Sequence, residues 1–404
     1  MTLDEAIALD AADPLAHCRA RFALSEGLIY LDGNSLGALP RATPEAVADT
    51  IERQWGTDLI SSWNRHDWIG MAARIGNRIA PLIGAGQDEV LVADSTSVNL
   101  FKLLHAALDA RPGRSTIVTE AGNFPTDLYI AQAVAAARGA HLSIVDADAI
   151  EAAIDRDTAV VLLTHVDYRS ARCHDLDRIT AAAHDAGALM LWDLSHSAGA
   201  MVVDLNKAGA DLAVGCGYKY LNGGPGAPAF LFVAEALADQ LSSPVPGWLG
   251  HAAPFAFDPV YRPATGIARF QAGTPSVIGM AALDAGVATF DGVSMAVLAA
   301  KSRSLSHAFI ALVEQRCPAL TLASPPGPRG SHLVFAHPDA YPLMQALIAR
   351  GVVGDVREPN LVRFGFAPLY NGYADVVRAV DIIADVLDTR AFDDPRYRER
   401  STVT

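Results

Sequence analysis

Lys219 sits between Tyr218 and Tyr220 in the segment GCGYKYLNGGPG, Gly215 to Gly226. The chain has four lysines against 27 arginines, so each lysine stands out. Lys102, Lys207 and Lys301 occupy stretches with helical spacing and read as helix-surface residues. Lys219 instead follows a strand-like run and is surrounded by Gly215, Gly217, Gly223, Gly224 and Gly226. Glycines let a backbone turn sharply and approach a ligand closely. A desolvated lysine in such a loop can attack a carbonyl and form a Schiff base. Taken alone, the segment reads equally well as a flexible turn. Asp193 lies 26 residues earlier at the end of an apolar run, with His196 close behind it in DLSH. A buried carboxylate needs a cation or good hydrogen bonds, although an aspartate there can also cap the next helix. Ser95, Thr96 and Ser97 open a helical run, where they can bind phosphate or simply cap. Phe124, just before Pro125, can stack on a flat ring or pack into a core.

The elements that must position these residues alternate. Strand-like runs at 90–93, 116–119, 141–145, 159–164, 188–192, 212–214 and 229–233 are separated mostly by helical segments. That alternation predicts an α/β fold with a mostly parallel seven-stranded sheet. Ligands bind such sheets beyond the carboxyl ends of the strands, which is where Asp94–Ser97, Gly122–Asp127, Thr164 and Asp193–His196 fall. Beyond residue 285 a long helical stretch, a Pro/Gly-rich link at 324–330 and a β-α-β-β-α pattern predict a smaller α+β unit. The expected division is an N-terminal arm at 1–50 contributing to the small domain, a large domain at 51–285 and a small domain at 286–404. The tail after Asp393 reads as loose. Trp55, Trp63 and Trp68 cluster with His66, a pattern suited to core packing or to an aromatic ligand.

Composition narrows the classes. Hydrophobic residues make up 51% and charged residues 19%, as in a well-cored globular protein. A net charge of −14 argues against a nucleic-acid partner. Cys18, Cys173, Cys216 and Cys317 are far apart, giving no metal framework and suiting a reducing compartment. The acidic N-terminus lacks the pattern of a secretory signal. No run of about 18 uninterrupted apolar residues predicts a membrane span. A cytoplasmic enzyme is the expectation.

An anion-binding helix start, a strand-end aromatic, a strand-end aspartate and a later lysine in a glycine-rich loop together fit a pyridoxal 5'-phosphate (PLP) enzyme. The expected architecture is fold type I, aspartate-aminotransferase-like. In this setting Asp193 keeps the pyridine nitrogen protonated, which makes PLP an electron sink.

The segments YLDGNSLG (Tyr30–Gly37), STSVNL (Ser95–Leu100), NFPTD (Asn123–Asp127), WDLSHSAG (Trp192–Gly199), GCGYKYLNGGPG and RFGFAPLYN (Arg363–Asn371) are more specific. Through them the chain resembles the kynureninases, within the class V aminotransferase-like group. The resemblance implies that Lys219 carries PLP and moves the substrate proton, that Asp193 pairs with the ring nitrogen and that Phe124 stacks on the ring. It implies that Thr96, Ser97, Tyr218, Trp248 and Thr274 surround the phosphate. Pro125, Thr126, Asp127, Thr164 and His196 would complete the cofactor shell. Arg363 would grip the substrate carboxylate, with Asn34 and Trp63 also at the substrate. The implied reaction is hydrolysis of L-kynurenine, or its 3-hydroxy derivative, to the anthranilate and L-alanine. That reaction belongs to tryptophan catabolism through the kynurenine pathway, which leads to NAD biosynthesis. Tyr218 is the expected proton carrier, its phenol acidified by the cationic cofactor. A homodimer is also implied. The alternatives are a class V aminotransferase, a cysteine desulfurase with a reactive loop cysteine, or a non-catalytic PLP-fold binding protein.

Overall fold

The computed structural model describes residues 1–400. Thirteen strands are numbered in chain order. A short β1 (Ile29–Tyr30) precedes the main sheet, which is built from β2 (Val90–Val92), β3 (Thr116–Glu120), β4 (His141–Val145), β5 (Thr158–Thr164), β6 (Leu189–Asp193), β7 (Leu212–Gly215) and β8 (Phe230–Val233). Their order across the sheet is β2-β8-β7-β6-β5-β3-β4. The pairs β4–β3, β3–β5, β5–β6 and β6–β7 are parallel, and β8 runs antiparallel to both of its neighbours. Every residue of β5, β6, β7 and β8 is buried. Strands covered on both faces lose the in–out alternation of an exposed sheet and read as continuous apolar runs such as Ala159-Val-Val-Leu-Leu. Trp192, fully buried in β6, meets its one polar demand by donating Nε1–H to Thr180 Oγ1 at 3.2 Å.

Helices Thr96–Asp109, Pro125–Arg138 and Leu176–Asp185 supply crossovers. The first begins at the Ser95 cap, whose hydroxyl accepts the Val98 N–H. The second begins at a proline in its first turn and ends at Gly139, in the left-handed region.

A second apolar core forms around helices Met295–Arg316, Ala340–Ile348 and Tyr373–Asp388. They pack with β9 (Thr321–Leu322), β10 (His332–Ala336), β12 (Asp355–Arg357) and β13 (Leu361–Gly365), an antiparallel sheet ordered β12-β13-β10-β9. The remaining strand, β11 (Val352–Val353), pairs in parallel with β1. Helix Met295–Arg316 is long and apolar enough, by composition, to cross a membrane, but half of it is buried, with Leu305, Phe309, Leu312 and Val313 in this core. The N-terminal arm touches both cores. Ala6, Ile29 and Leu31 join the second, whereas Leu15, Cys18, Phe22 and Ala38 join the first. Asp10 reaches across to accept the Tyr373 and Ala374 N–H groups at the start of the last long helix, at 2.6 and 2.9 Å. Two short strands, β9 and β12, and helix Val277–Val287 carry no clear sequence signal. Past Asp393, Pro395–Arg398 forms a single helical turn.

Two of the lysines expected on helix surfaces are buried. Lys102 is fully enclosed, paired with Asp94 and donating to the Phe270 carbonyl at 2.7 Å. Lys301 is enclosed with Asp13 at 2.6 Å and the Pro368 carbonyl at 2.6 Å. Each long stem spans to a carboxylate that periodicity alone does not reveal. Lys207 is exposed, as expected.

Candidate active site

Beyond the carboxyl ends of β5, β6 and β7 lies a chamber of about 160 Å³. Ser95, Thr96, Ser97, Phe124, Thr126, Asp127, Thr164, Asp193, Ser195, His196, Tyr218 and Lys219 line it. Each arrives by simple geometry. Asp94, at φ +45°, bends the chain after β2, and its ion pair with buried Lys102 pins that bend. Ser95 takes the capping role, so Thr96 and Ser97 bring the open first turn of the helix to the chamber, a ready anion site. Asn123 holds the turn before the next helix. Its Oδ1 accepts the Phe124 N–H at 2.9 Å and the Thr164 hydroxyl, and its Nδ2 donates to Thr119 at 3.2 Å. Phe124 remains 38% exposed, so its ring is presented to the chamber rather than consumed by the core. Pro125 stands just behind it in the first helical turn.

The acid groups are deeply buried and adjacent. Asp193 ends β6, and its Oδ1 accepts the Ser195 N–H at 2.7 Å, a turn contact rather than a helix cap. Asp127 hydrogen-bonds Asp193 and accepts from Thr164 at 3.2 Å. Burial, then the neighbouring Asp193 charge, pushes the Asp127 carboxyl well above the ordinary range. Held in that state, Asp127 can donate to Asp193, which also lines the chamber.

Lys219 Nζ lies 3.2 Å from His196 Nε2 and 5.8 Å from the centroids of both the Phe124 and Tyr218 rings. Burial and the Lys219 charge hold the His196 imidazole well below its usual pKa, hence neutral. The loop bearing Lys219 is clamped by the Asp32–Gly37 turn. The Gly37 N–H donates to the Tyr218 carbonyl at 2.9 Å, and a Cβ at Gly37 would collide with the Lys219 carbonyl. Asn222, at φ +58°, closes the loop by donating its N–H to the Lys219 carbonyl at 2.9 Å.

Tyr218 lines the same chamber. Burial first, then Cys216 and Asp193, pushes its phenol above the ordinary tyrosine value. In the protein alone the phenol is therefore a firmly held proton.

Arg363, Asn34, Trp63, Trp248 and Thr274 do not line the chamber. Arg363 and Asn34 are fully buried beside it. The Arg363 guanidinium donates to Asp355 through Nε at 2.7 Å and through Nη2, to Ser35 Oγ at 3.0 Å and to the Tyr168 carbonyl at 2.6 Å. Asn34 offers its carbonyl to His196 Nε2 at 3.2 Å, and its side chain packs over Gly365, where a Cβ would clash. Trp63 and Trp248 meet each other, at 6.0 Å between centroids. Trp68 and Phe255 extend the cluster at 5.9 and 5.7 Å. Trp248, Phe255 and Trp55 are exposed, so the tryptophan-rich stretch forms a surface patch rather than a core. Thr274 is exposed in a separate depression.

Sequence reading placed Asn123 and Ser195 at strand ends and Ser35 in a polar turn near a site without giving any of them a role, and it missed Tyr168 and Asp355. Tyr168, whose ring meets Phe124 edge-on at 5.2 Å, and Asp355 lie in segments that carry no signal.

The donor set suits PLP: an amine, a buried carboxylate, a presented ring and a helix start fall around one cavity. The chain carries a match to the kynureninase C-terminal domain at residues 298–383 and one to the DegT/DnrJ/EryC1/StrS aminotransferase family at 75–215. Among curated proteins it is 50% identical to the kynureninases of Pseudomonas fluorescens and Burkholderia mallei, over 414 residues and the full length of both chains. Among solved structures it is similar to the cysteine desulfurase CsdA of Escherichia coli, with a TM-score of 0.77 at 20% identity over 93% of this chain and 98% of that one. It is also similar to C-DES carrying glycine linked to its PLP cofactor, with a TM-score of 0.80 at 17% identity over 91% and 99%. These structural neighbours establish the fold-type-I architecture, and full-length identity at this level establishes more: the chain belongs to the kynureninase family.

Proposed function

We propose that the protein is a PLP-dependent hydrolase that cleaves the Cβ–Cγ bond of L-kynurenine with water, giving anthranilate and L-alanine. The carrying observation is the buried Asp127–Asp193 pair facing Lys219 in a chamber that also holds Tyr218. Bound PLP supplies an electron sink for carbanion chemistry at the amino-acid carbons. The protein's own residues do the rest. Thr96 and Ser97 bind the cofactor phosphate through the helix start. Asp193 holds the ring-nitrogen proton, and Asp127 hydrogen-bonds Asp193 from the side. Phe124 and His196 bracket the site and exclude water. Lys219 anchors the cofactor and moves the Cα proton. Tyr218 holds its proton until a cationic group in the chamber lowers its pKa, and then exchanges it as the Cβ–Cγ bond breaks. Arg363 binds the α-carboxylate, with Asn34 beside it.

Trp248 and Thr274 are exposed and Trp63 is half-buried, all away from their own chamber. A second copy of the chain would cover the aromatic patch and bring these residues to the neighbouring site, so the reading includes a homodimer. The division that suits it is the arm 1–50, a cofactor-binding unit 51–285 and a unit 286–404 that carries Arg363. The reading also takes in a cytoplasmic location, no nucleic-acid or membrane partner, and a place in tryptophan catabolism leading to NAD biosynthesis.

The fold neighbours make a cysteine desulfurase the rival. Such chemistry needs an accessible, acidified thiol. Burial pushes Cys317 up to about 11 and Cys173 up to about 12, and it also raises Cys18 and Cys216. The geometry favours the hydrolase.

The test is direct. Purified protein that visibly carries PLP is mixed with L-kynurenine or its 3-hydroxy derivative, and anthranilate-type fluorescence is followed. Product from either supports the reading; none from both, with alanine formed from cysteine instead, establishes the rival. Lys219→Ala should remove the cofactor's protein-linked visible band together with at least ~10³-fold of activity. Survival of the band overturns the lysine assignment.

A further inference from the structure

Fully buried Arg363 has five N–H donors in a planar fork. Four are committed within the protein. Nε and Nη2 grip the two oxygens of Asp355, Nη2 also reaches Ser35 Oγ, and Nη1 reaches the Tyr168 carbonyl. Asp355 is itself 2% exposed. It is held from two further sides: the Ser35 hydroxyl donates to Oδ2 at 2.6 Å, and Arg357 Nη2 lies 3.1 Å from the same oxygen. The Nε–Nη2 edge of the guanidinium is thus spoken for, its plane is fixed, and one Nη1 N–H is the donor left to meet a second carboxylate.

The backbone explains why this fixation matters to the reaction. Asn34 and Ser35 are consecutive. Asn34 offers its carbonyl to His196, which touches Lys219, while Ser35 touches Arg363 and Asp355. One turn therefore sets the distance between the amine-handling and carboxylate-handling ends of an α-amino acid.

We propose that Asp355 and Ser35 are positioning residues that fix the guanidinium plane of Arg363 and aim its uncommitted Nη1 N–H at the α-carboxylate of the amino-acid substrate. This rests on the reading that Arg363 grips that carboxylate. Charge agrees with geometry. Asp32, buried beside Asp355, is pushed up to about 7 by burial and by the Asp355 charge. In the fraction of molecules with Asp32 protonated, Arg363 and Arg357 outweigh Asp355 by one positive charge, the complement of a single carboxylate. An ion pair serving only to join β12 to β13 would need neither the Ser35 contact nor the excess charge.

The test uses the PLP-loaded protein, the variants Asp355→Asn and Ser35→Ala, and L-kynurenine against its α-carboxamide. Aiming predicts that Asp355→Asn raises KM for L-kynurenine by about 10–100-fold with kcat changed less than about 3-fold, and that the penalty with the carboxamide is clearly smaller. Ser35→Ala should show the same pattern at about 3–10-fold, and it decides the matter if Asp355→Asn does not fold. Equal losses with both substrates, or a fall in kcat at constant KM, overturn the proposal. An independent readout is thermal stabilisation by L-alanine against L-alaninamide. Native protein should prefer the carboxylate and both variants should lose that preference; a preference retained in the variants overturns the proposal even if L-kynurenine proves to be the wrong substrate.

Discussion

Asp32 shows how a single carboxyl ties the site to pH. Its neighbours are Asp355, Ser35, Arg363 and Arg357, with the Tyr30, Tyr220 and Tyr370 phenols nearby. Burial raises its pKa from the usual carboxylate value to about 7. The folded state then binds more protons than the unfolded chain across that interval. The stability from this group is complete below the unfolded carboxylate pKa and is lost as pH rises through about 7. Asp32→Asn, which keeps the shape and cannot ionise, should remove that part of the slope, on the order of a few kcal/mol at pH 8. Urea midpoints at pH 5 and pH 8 check it: native protein should lose more than the variant, and equal losses would contradict the assignment. Other site residues were open to sequence reading in differing degrees. Lys219, Asp193, Phe124 and Thr96–Ser97 were legible because strand ends and glycine-rich loops mark themselves. Asp355 and Tyr168 were not, since their importance comes from contacts with Arg363 at 8 and 195 positions' separation.

At the scale of elements, the Asp32–Gly37 turn is the piece on which the lysine loop rests. Gly37 has no room for a side chain against the Lys219 carbonyl and Asn222. Gly37→Ala should push the two loops apart, cost about 1–3 kcal/mol of stability and weaken PLP binding by at least ~10-fold. A PLP titration with a parallel melting curve separates the two effects; unchanged affinity would show that the loops move independently. The seven main strands were legible to within a residue or two because β5 to β8 are buried on both faces and therefore read as unbroken apolar runs. The short β9 and β12 were not, because two or three residues carry no period. The Lys102–Asp94 pair was missed for a related reason. Helical spacing says which face a residue occupies, not that another element covers that face.

For the whole molecule, the exposed patch of Trp248, Phe255 and Phe257 is more apolar than a lone chain would leave open to water. If a second copy covers it, Trp63→Ala or Trp248→Ala should weaken self-association by about 30-fold or more, as expected for a central tryptophan. PLP affinity should fall in parallel. Sedimentation across a concentration series, with PLP titrated at each step, would test both; a native chain that stays monomeric at micromolar concentration would refute the covering. Sequence reading left the Trp55–Trp68 cluster open between core packing and an aromatic ligand, because clustering looks the same whether the covering surface comes from the same chain or from another.

The scarcity of lysine has a practical outcome for chemical labelling. Lys102 and Lys301 are sealed inside ion pairs, Lys219 lies in the chamber and Lys207 is in the open. An amine-reactive ester applied to the folded protein therefore meets Lys207 and the N-terminus first. Lys219 is the one remaining amine whose reactivity depends on what fills the site. Peptide mapping after brief labelling would report chamber occupancy from a single residue, with Lys207 as an internal standard on the same chain.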